Sequence, residues 1–188
     1  DGSAFSTISV FTSYTSGTNS DGASPLGSLA LSGNTLYGTA SAGGIANSFG
    51  TIFKVNINGT GFTNLHTFGS VSIQDPSFPL AGMILSGSTL YGTTSSGGGS
   101  GANGTVFKID TNGTGFAVLH TFPALVSSTN SDGAHPKARL VLSGNILYGT
   151  ASSGGLSGQG TVFSLNTVDS SFTNLYSFTN GVDGRTPI

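Results

Sequence analysis

The side chains of this sequence best suited to acid–base or metal chemistry are three His and seven Asp. The histidines are His66, His120 and His135. The aspartates are Asp1, Asp21, Asp75, Asp110, Asp132, Asp169 and Asp183. Glu and Cys are absent. Without Cys there is no thiol nucleophile, no disulfide scaffold and no cysteine-ligated zinc. Without Glu, paired-carboxylate glycoside hydrolysis would have to run on two Asp. Four of the Asp stand four residues before a Pro: Asp21/Pro25, Asp75/Pro79, Asp132/Pro136 and Asp183/Pro187. Asn19-Ser20-Asp21-Gly22 and Asn130-Ser131-Asp132-Gly133 are near copies, whereas Ile73-Gln74-Asp75-Pro76 departs. Two chemistries fit such a residue. An Asp that accepts backbone N–H bonds caps a turn, and Gly and Pro belong to the same turn chemistry. Alternatively, a ring of carboxylates on one face holds Ca²⁺ or sugar hydroxyls. Calcium takes about six to eight oxygens, so one Asp per copy would need help from Asn side chains and carbonyls. The ligand-binding candidates on this second reading are Asn19, Asp21, Asp75, Asn130, Asp132 and His135. Tyr14, Phe78 and His135 lie in or near the same segments and could stack on a sugar.

The remaining candidates carry less. His66 and His120 occupy equivalent places in two copies of a repeat, where the third has Tyr176. A residue set by packing varies in that way. A catalytic base needs a local nucleophile or carboxylate partner. Gly99-Ser100-Gly101-Ala102-Asn103-Gly104 spells the dinucleotide fingerprint, but that motif requires a helix after it and a strand follows here. There is no nucleophile elbow, P-loop or zinc-binding HExxH. No catalytic residue, cofactor or metal ligand is therefore assigned.

The elements that must position these residues are announced by self-similarity. Leu36-Tyr37-Gly38-Thr39 returns as Leu90-Tyr91-Gly92-Thr93 and Leu147-Tyr148-Gly149-Thr150. Gly50-Thr51-Ile52-Phe53 returns as Gly104-Thr105-Val106-Phe107 and Gly160-Thr161-Val162-Phe163. Leu65-His66-Thr67-Phe68 returns as Leu119-His120-Thr121-Phe122 and Leu175-Tyr176-Ser177-Phe178, with a weaker copy at Ile8-Ser9-Val10-Phe11. One period reads as four short strands rich in β-branched and aromatic residues. In the first copy these are Leu26–Leu31, Thr35–Ser41, Thr51–Asn56 and Phe62–Phe68, designated A to D. Ser-Gly-Asn or Ser-Gly-Ser joins A to B, and Asn-Gly-Thr-Gly joins C to D in two copies; both are hairpin chemistry. In the third copy the second hairpin reads Val168-Asp169-Ser170-Ser171. Asn58-Gly59-Thr60, Asn103-Gly104-Thr105 and Asn112-Gly113-Thr114 also match glycosylation sequons, but tight turns and turn-to-strand starts explain them. The B–C and D–A connections are longer and fall together on the opposite side. Gly38, Gly92 and Gly149 within strand B would permit a close approach or mark a bulge.

The predicted fold is all-β, built of β-propeller-type repeats of four antiparallel strands. A period of roughly 50 residues with four strands is that of a propeller blade. The expected organisation is a lone strand D with its linking loop at 1–20, repeats at 21–74, 75–131 and 132–182, and the start of a further repeat at 183–188. Because the repeat is cut at both ends, the expectation is a piece of a longer array or copies that complete one another. Residue 1 is Asp, which points to processing or excision.

These motifs resemble the tandem repeat of the GloVer (Gloeobacter–Verrucomicrobia) type. The matching segments are Gly104–Lys108, Gly113–Phe116, Leu119–Phe122, Asp132–Pro136, Leu90–Thr94 and the pair Gly97-Gly98. The resemblance implies a bacterial surface or secreted protein and no particular activity. A looser similarity to kelch blades rests on a Gly pair after strand B, without the Trp of kelch strand D, since this chain has no Trp.

Composition narrows the partners. Charged residues are 6% of the chain, and five Lys plus Arg cannot build the basic face that nucleic acid or an anionic membrane requires. No apolar run approaches the ~20 residues of a membrane-spanning helix. With 13 Phe and 5 Tyr the chain does not have the composition of a disordered segment. A neutral surface rich in Gly, Ser, Thr and Asn fits an extracellular or cell-surface location. The functional expectation is a non-enzymatic repeat module for surface structure, adhesion or assembly. Lectin-like carbohydrate binding on the B–C/D–A loop face is one alternative, and part of a propeller enzyme acting on polysaccharide is another. The expected partners are other copies or the remainder of a longer repeat protein, with glycans as candidate ligands.

Overall fold

The computed structural model describes residues 6–13, 19–44, 49–69, 75–179, 181 and 183–188. Tyr14 and the Ile73-Gln74 pair lie outside the described residues. Among the described residues there are fourteen strands and no helix. The first sheet has the order β2 (Ala30–Ser32), β3 (Thr35–Ala40), β5 (Thr51–Asn56), β6 (Thr63–Thr67). The second is β7 (Ile84–Ser86), β8 (Thr89–Thr94), β9 (Thr105–Asp110), β10 (Ala117–Thr121). The third is β11 (Val141–Ser143), β12 (Ile146–Ala151), β13 (Thr161–Asn166), β14 (Phe172–Ser177). Each is an antiparallel meander, the strand order of a propeller blade. A two-stranded ribbon pairs β1 (Asn19–Ala23) with β4 (Ala42–Gly44).

Local chemistry explains these elements. Gly33, Gly87 and Gly144 sit at φ +54, +58 and +58, the left-handed region that the tight A–B hairpin demands. In the C–D hairpin, Asn58 Oδ1 accepts the Thr60 N–H at 3.1 Å, and Asn112 Oδ1 accepts the Thr114 N–H at 2.9 Å. The third copy keeps the same turn with different residues. There Asp169 Oδ1 accepts the Ser171 N–H at 2.9 Å and its hydroxyl at 2.7 Å. Those bonds hold the Asp169 carboxyl below its ordinary value.

Two features differ from the sequence reading. Strand A begins at Ala30, not Leu26. The stretch before it packs against the next unit, so close that a Cβ on Gly27 would lie 2.4 Å from the Gly82 nitrogen. The C–D pairing also slips once in every sheet. Ile52 pairs with His66 while Phe53 pairs with Asn64, leaving Leu65 as the extra residue of a bulge. Leu119 and Leu175 are skipped in the same way. The strand-B glycines mark no bulge. Gly38, Gly92 and Gly149 pair directly with Phe53, Phe107 and Phe163. A Cβ at any of the three would lie 2.5–2.6 Å from the tip of that ring. Glycine here lets the aromatic ring lie across the strand.

Burial is concentrated between consecutive sheets. Tyr37, Ile52 and Phe68 meet Leu90, Phe107 and Ile109 of the next sheet. Val106 and Phe122 meet Leu147, Phe163 and Leu165 in the following one. Each sheet is therefore apolar on both faces. Complete burial of a Phe side chain is worth about 1.5–3 kcal/mol, so these aromatic seams dominate the stacking.

Candidate functional site

The B–C and D–A loops share one end of every sheet and are pinned together there. In the first unit the β1–β4 ribbon joins them, and in the others the bridges Ser77↔Ser96 and Ala134↔Ser153 do so. The polar residues singled out by sequence all lie in this loop layer, so their bonding decides what the layer can do.

Asn19 and Asn130 are fully engaged within the fold. Asn130 donates from Nδ2 to the carbonyls of Pro123 at 3.0 Å and Gly133 at 2.8 Å. Its Oδ1 accepts the N–H groups of Gly133 at 2.8 Å and Gly155 at 3.1 Å. Asn19 repeats the pattern with Thr12, Gly22 and Gly44. An Asn amide has two donor hydrogens and one carbonyl with two lone pairs, and all of them are used. Each Asn thus ties the end of the preceding strand D, its own D–A loop and the following B–C loop into one knot.

The aspartates face backward along the chain. Asp21 accepts the Thr12 N–H at 2.6 Å and the Thr12 hydroxyl at 2.5 Å. Asp183 accepts the Thr179 N–H at 2.9 Å, the Thr179 hydroxyl at 2.7 Å and the Tyr176 hydroxyl at 2.8 Å. The Thr179 hydroxyl, then its N–H, then Tyr176 hold the Asp183 carboxyl down to about 2. Asp132 approaches His120 Nε2 at 3.2 Å. Asp132 acts on the ring chiefly through its charge. Asp75 acts on His66 through its charge. For Asp75, Asp132 and Asp183 the partner lies on or just after the preceding strand D, and for Asp21 it lies in the leading segment that precedes the first sheet.

His66 and His120 are packing residues. His66 stacks on Phe116 of the next sheet with ring centres 3.8 Å apart, and His120 stacks on Phe172 at 3.8 Å. Burial pushes the His66 imidazole down to about 4, against the opposing pull of Asp75. Burial lowers His120 in the same sense, opposed by Asp132. Both rings are therefore neutral at pH 7, and no nucleophile adjoins either of them in the contacts described.

His135 belongs to a set that the sequence reading did not isolate. The residue three after each repeat Asp has a left-handed backbone: Ser24, Phe78, His135 and Thr186 at φ +55, +58, +55 and +53. Side chains rarely adopt this conformation, and it costs about 1–2 kcal/mol per residue. At His135 and Phe78 it survives because both backbone groups are held. The His135 N–H donates to Asn103 O at 2.8 Å, and its carbonyl accepts the Ser152 N–H at 3.3 Å. Phe78 and Thr186 likewise donate to Phe49 O and Gln159 O of the preceding unit, each at 2.8 Å. His135 Nδ1 adds a 2.8 Å contact to Ser95 O. The signal for this set was the residue before Pro in Asp-x-x-x-Pro, which names the position and not its φ.

The loop layer therefore gathers all six candidates into joints between consecutive units rather than around one cavity. Among the described residues, no group of three or more His or Asp could hold a metal ion. Among the same residues, no helix is long and apolar enough to cross a membrane. In comparisons with known proteins, a family model described as the Gloeobacter/Verrucomicrobia repeat matches residues 1–188. No curated protein matches. A chain from a crystal structure of a nidogen/laminin complex is similar in outline, with a TM-score of 0.48 and 15% identity. The match covers 81% of this chain and 45% of that one, so this chain spans less than half its length.

Proposed function

The chain belongs to the Gloeobacter/Verrucomicrobia repeat family, and on that footing we propose that it is a non-enzymatic module of an extracellular or cell-surface repeat protein. Its task is structure, adhesion or assembly. One observation carries this reading. The polar side chains that recur with the repeat bond to the backbone and strand ends of neighbouring units, as the four bonds of Asn130 do. The Asn19 and Asn130 amides, held in that way, are positioned to join units, with every donor and acceptor turned inward to the fold. The low charge, 6% of residues, supports an external location, where a neutral polar surface replaces a charged one.

The test is incubation of the chain with a panel of neutral and acidic polysaccharides. Release of reducing ends reports a hydrolase, and unsaturated products report a lyase. A glycan array run in parallel reports binding. The expected result is neither turnover nor binding. Product release contradicts the proposal, and saturable glycan binding without turnover moves the assignment to a lectin.

A further inference from the structure

Three segments match the acceptor pattern for N-linked glycans, Asn-x-Thr: Asn58-Gly59-Thr60, Asn103-Gly104-Thr105 and Asn112-Gly113-Thr114. The three are alike as sequence, and the fold separates them. An acceptor must offer two groups to a transferase from outside. One is the amide Nδ2, which is the nucleophile, and the other is the hydroxyl two residues on. At Asn103 both groups are taken. Its Nδ2 donates to the carbonyls of Gly101 at 3.2 Å and Pro123 at 2.9 Å. Thr105 is fully buried, and its hydroxyl is bonded to that of Thr94 at 2.8 Å.

Asn58 and Asn112 are the opposite case. Both Asn side chains are exposed, as are Thr60 and Thr114. They sit in the C–D hairpins, at the end of each sheet away from the loop layer that joins the units. The Thr60 hydroxyl donates to Asn58 Oδ1 at 2.8 Å, beside the Thr60 N–H at 3.1 Å, and it accepts Asn56 Nδ2 at 3.1 Å. Thr114 donates to Asn112 Oδ1 with the same two groups, at 2.8 and 2.9 Å. All these bonds to the acceptor Asn fall on Oδ1, and neither Nδ2 donates a hydrogen bond among the described residues. Two donors on Oδ1 stabilise the negative charge that gathers there as Nδ2 gives up a proton. The turn itself does not call for Asn. In the third unit Asp169 and Ser171 make the same two bonds, at 2.9 and 2.7 Å, and a carboxylate has no nitrogen to glycosylate.

We propose that Asn58 and Asn112 are N-glycosylation sites and that Asn103 is not. The proposal rests on the extracellular reading above. The donor is a sugar activated as a diphosphate ester. Asn Nδ2 attacks its anomeric carbon, so that an N–C bond forms as the C–O bond to the diphosphate breaks. The diphosphate leaves with the electron pair, and the Nδ2 proton passes to a base of the transferase. The glycan adds hydration to the hairpin end of a chain with only 6% charged residues, and it leaves the loop layer bare.

Glycopeptide mapping by mass spectrometry tests the proposal, on protein purified separately from the surface and the interior of the cells that make it. The expected result is glycan on Asn58 and Asn112 in the surface material, with Asn103 bare. An increment of a single sugar reports a nucleotide-linked donor, and a whole oligosaccharide reports a lipid-linked one. Thr114→Ala is expected to lose the Asn112 glycan and keep that on Asn58. Thr114→Ser, which places at 114 the residue found at 171, keeps both. Circular dichroism verifies that the variants stay folded. Surface protein bare at Asn58 and Asn112 overturns the proposal and leaves the location standing. Protein confined to the interior and bare at both sites overturns the location reading together with the proposal. A glycan on Asn103, or one on Asn112 that survives Thr114→Ala, also overturns it.

Discussion

At the residue scale, the histidines report on the joints. The His66 imidazole lies at about 4 against an ordinary 6.5, so the unfolded chain takes up the proton first. Stability from the neutral ring is complete above the unfolded value of 6.5, declines as pH falls, and is lost below about 4. His120 is shifted in the same direction. The groups facing His66 are Asp75, Phe68 and Phe116. Replacing His66 and His120 together by Tyr, the residue of the third copy, keeps a stacking ring and removes the charge. Melting temperature followed across this window is expected to fall less in the double variant than in the parent. Asp183 works in a separate range, because its carboxyl, ordinarily at 3.8, lies at about 2 and its contribution disappears only as pH falls toward that value. The sequence made much of this legible. Equivalent His, His and Tyr at one repeat position pointed to packing, and Asp followed by Gly pointed to a turn cap. The Thr12 and Thr179 partners were not legible, because Thr is abundant and only the loop's return toward the strand end selects these two.

At the element scale, the seam between sheets rests on one Phe at the end of each strand D. Phe122→Ala is expected to cost about 3–5 kcal/mol in chemical unfolding, the range for a large buried aromatic. Phe178→Ala is expected to cost less than about 2 kcal/mol, because its face is only partly covered. Equal losses at the two positions would mean that the covering sheet is not what makes Phe122 count. Strands B and C and both hairpins could be read from sequence, since Gly, Asn and alternating β-branched residues carry local information. Strand A was read too long because Leu26 and Leu29 are apolar enough for a strand. Their segment faces the neighbouring unit, and that partner cannot be seen in one repeat. The bulges at Leu65, Leu119 and Leu175 were hidden for the same kind of reason. The residues there suit a strand, and the slip in register appears only when strand D is laid against strand C.

At the scale of the whole molecule, the chain is a row of similar sheets in which each contacts chiefly its neighbours, as in other repeat proteins. Stability then resides in the joints as much as in the sheets. The joints have an apolar seam of Phe, Tyr and Leu and a polar clasp of Asn, Asp and left-handed backbone. The repeat period and the recurring Asp were plain in the sequence. That these residues bond across successive units required the fold. The central claim is this clasp, and Asn130 carries its most complete example. The measurement that tests it most directly is urea unfolding of Asn130→Ala beside Asn112→Ala, an exposed hairpin Asn with bonds only to Thr114. Asn130→Ala is expected to lose about 1–3 kcal/mol, the cost of orphaned backbone groups in a part-buried knot, and Asn112→Ala less than about 1 kcal/mol. An Asn130→Ala chain as stable as its parent would contradict the clasp and return Asn130 to the ligand-binding reading.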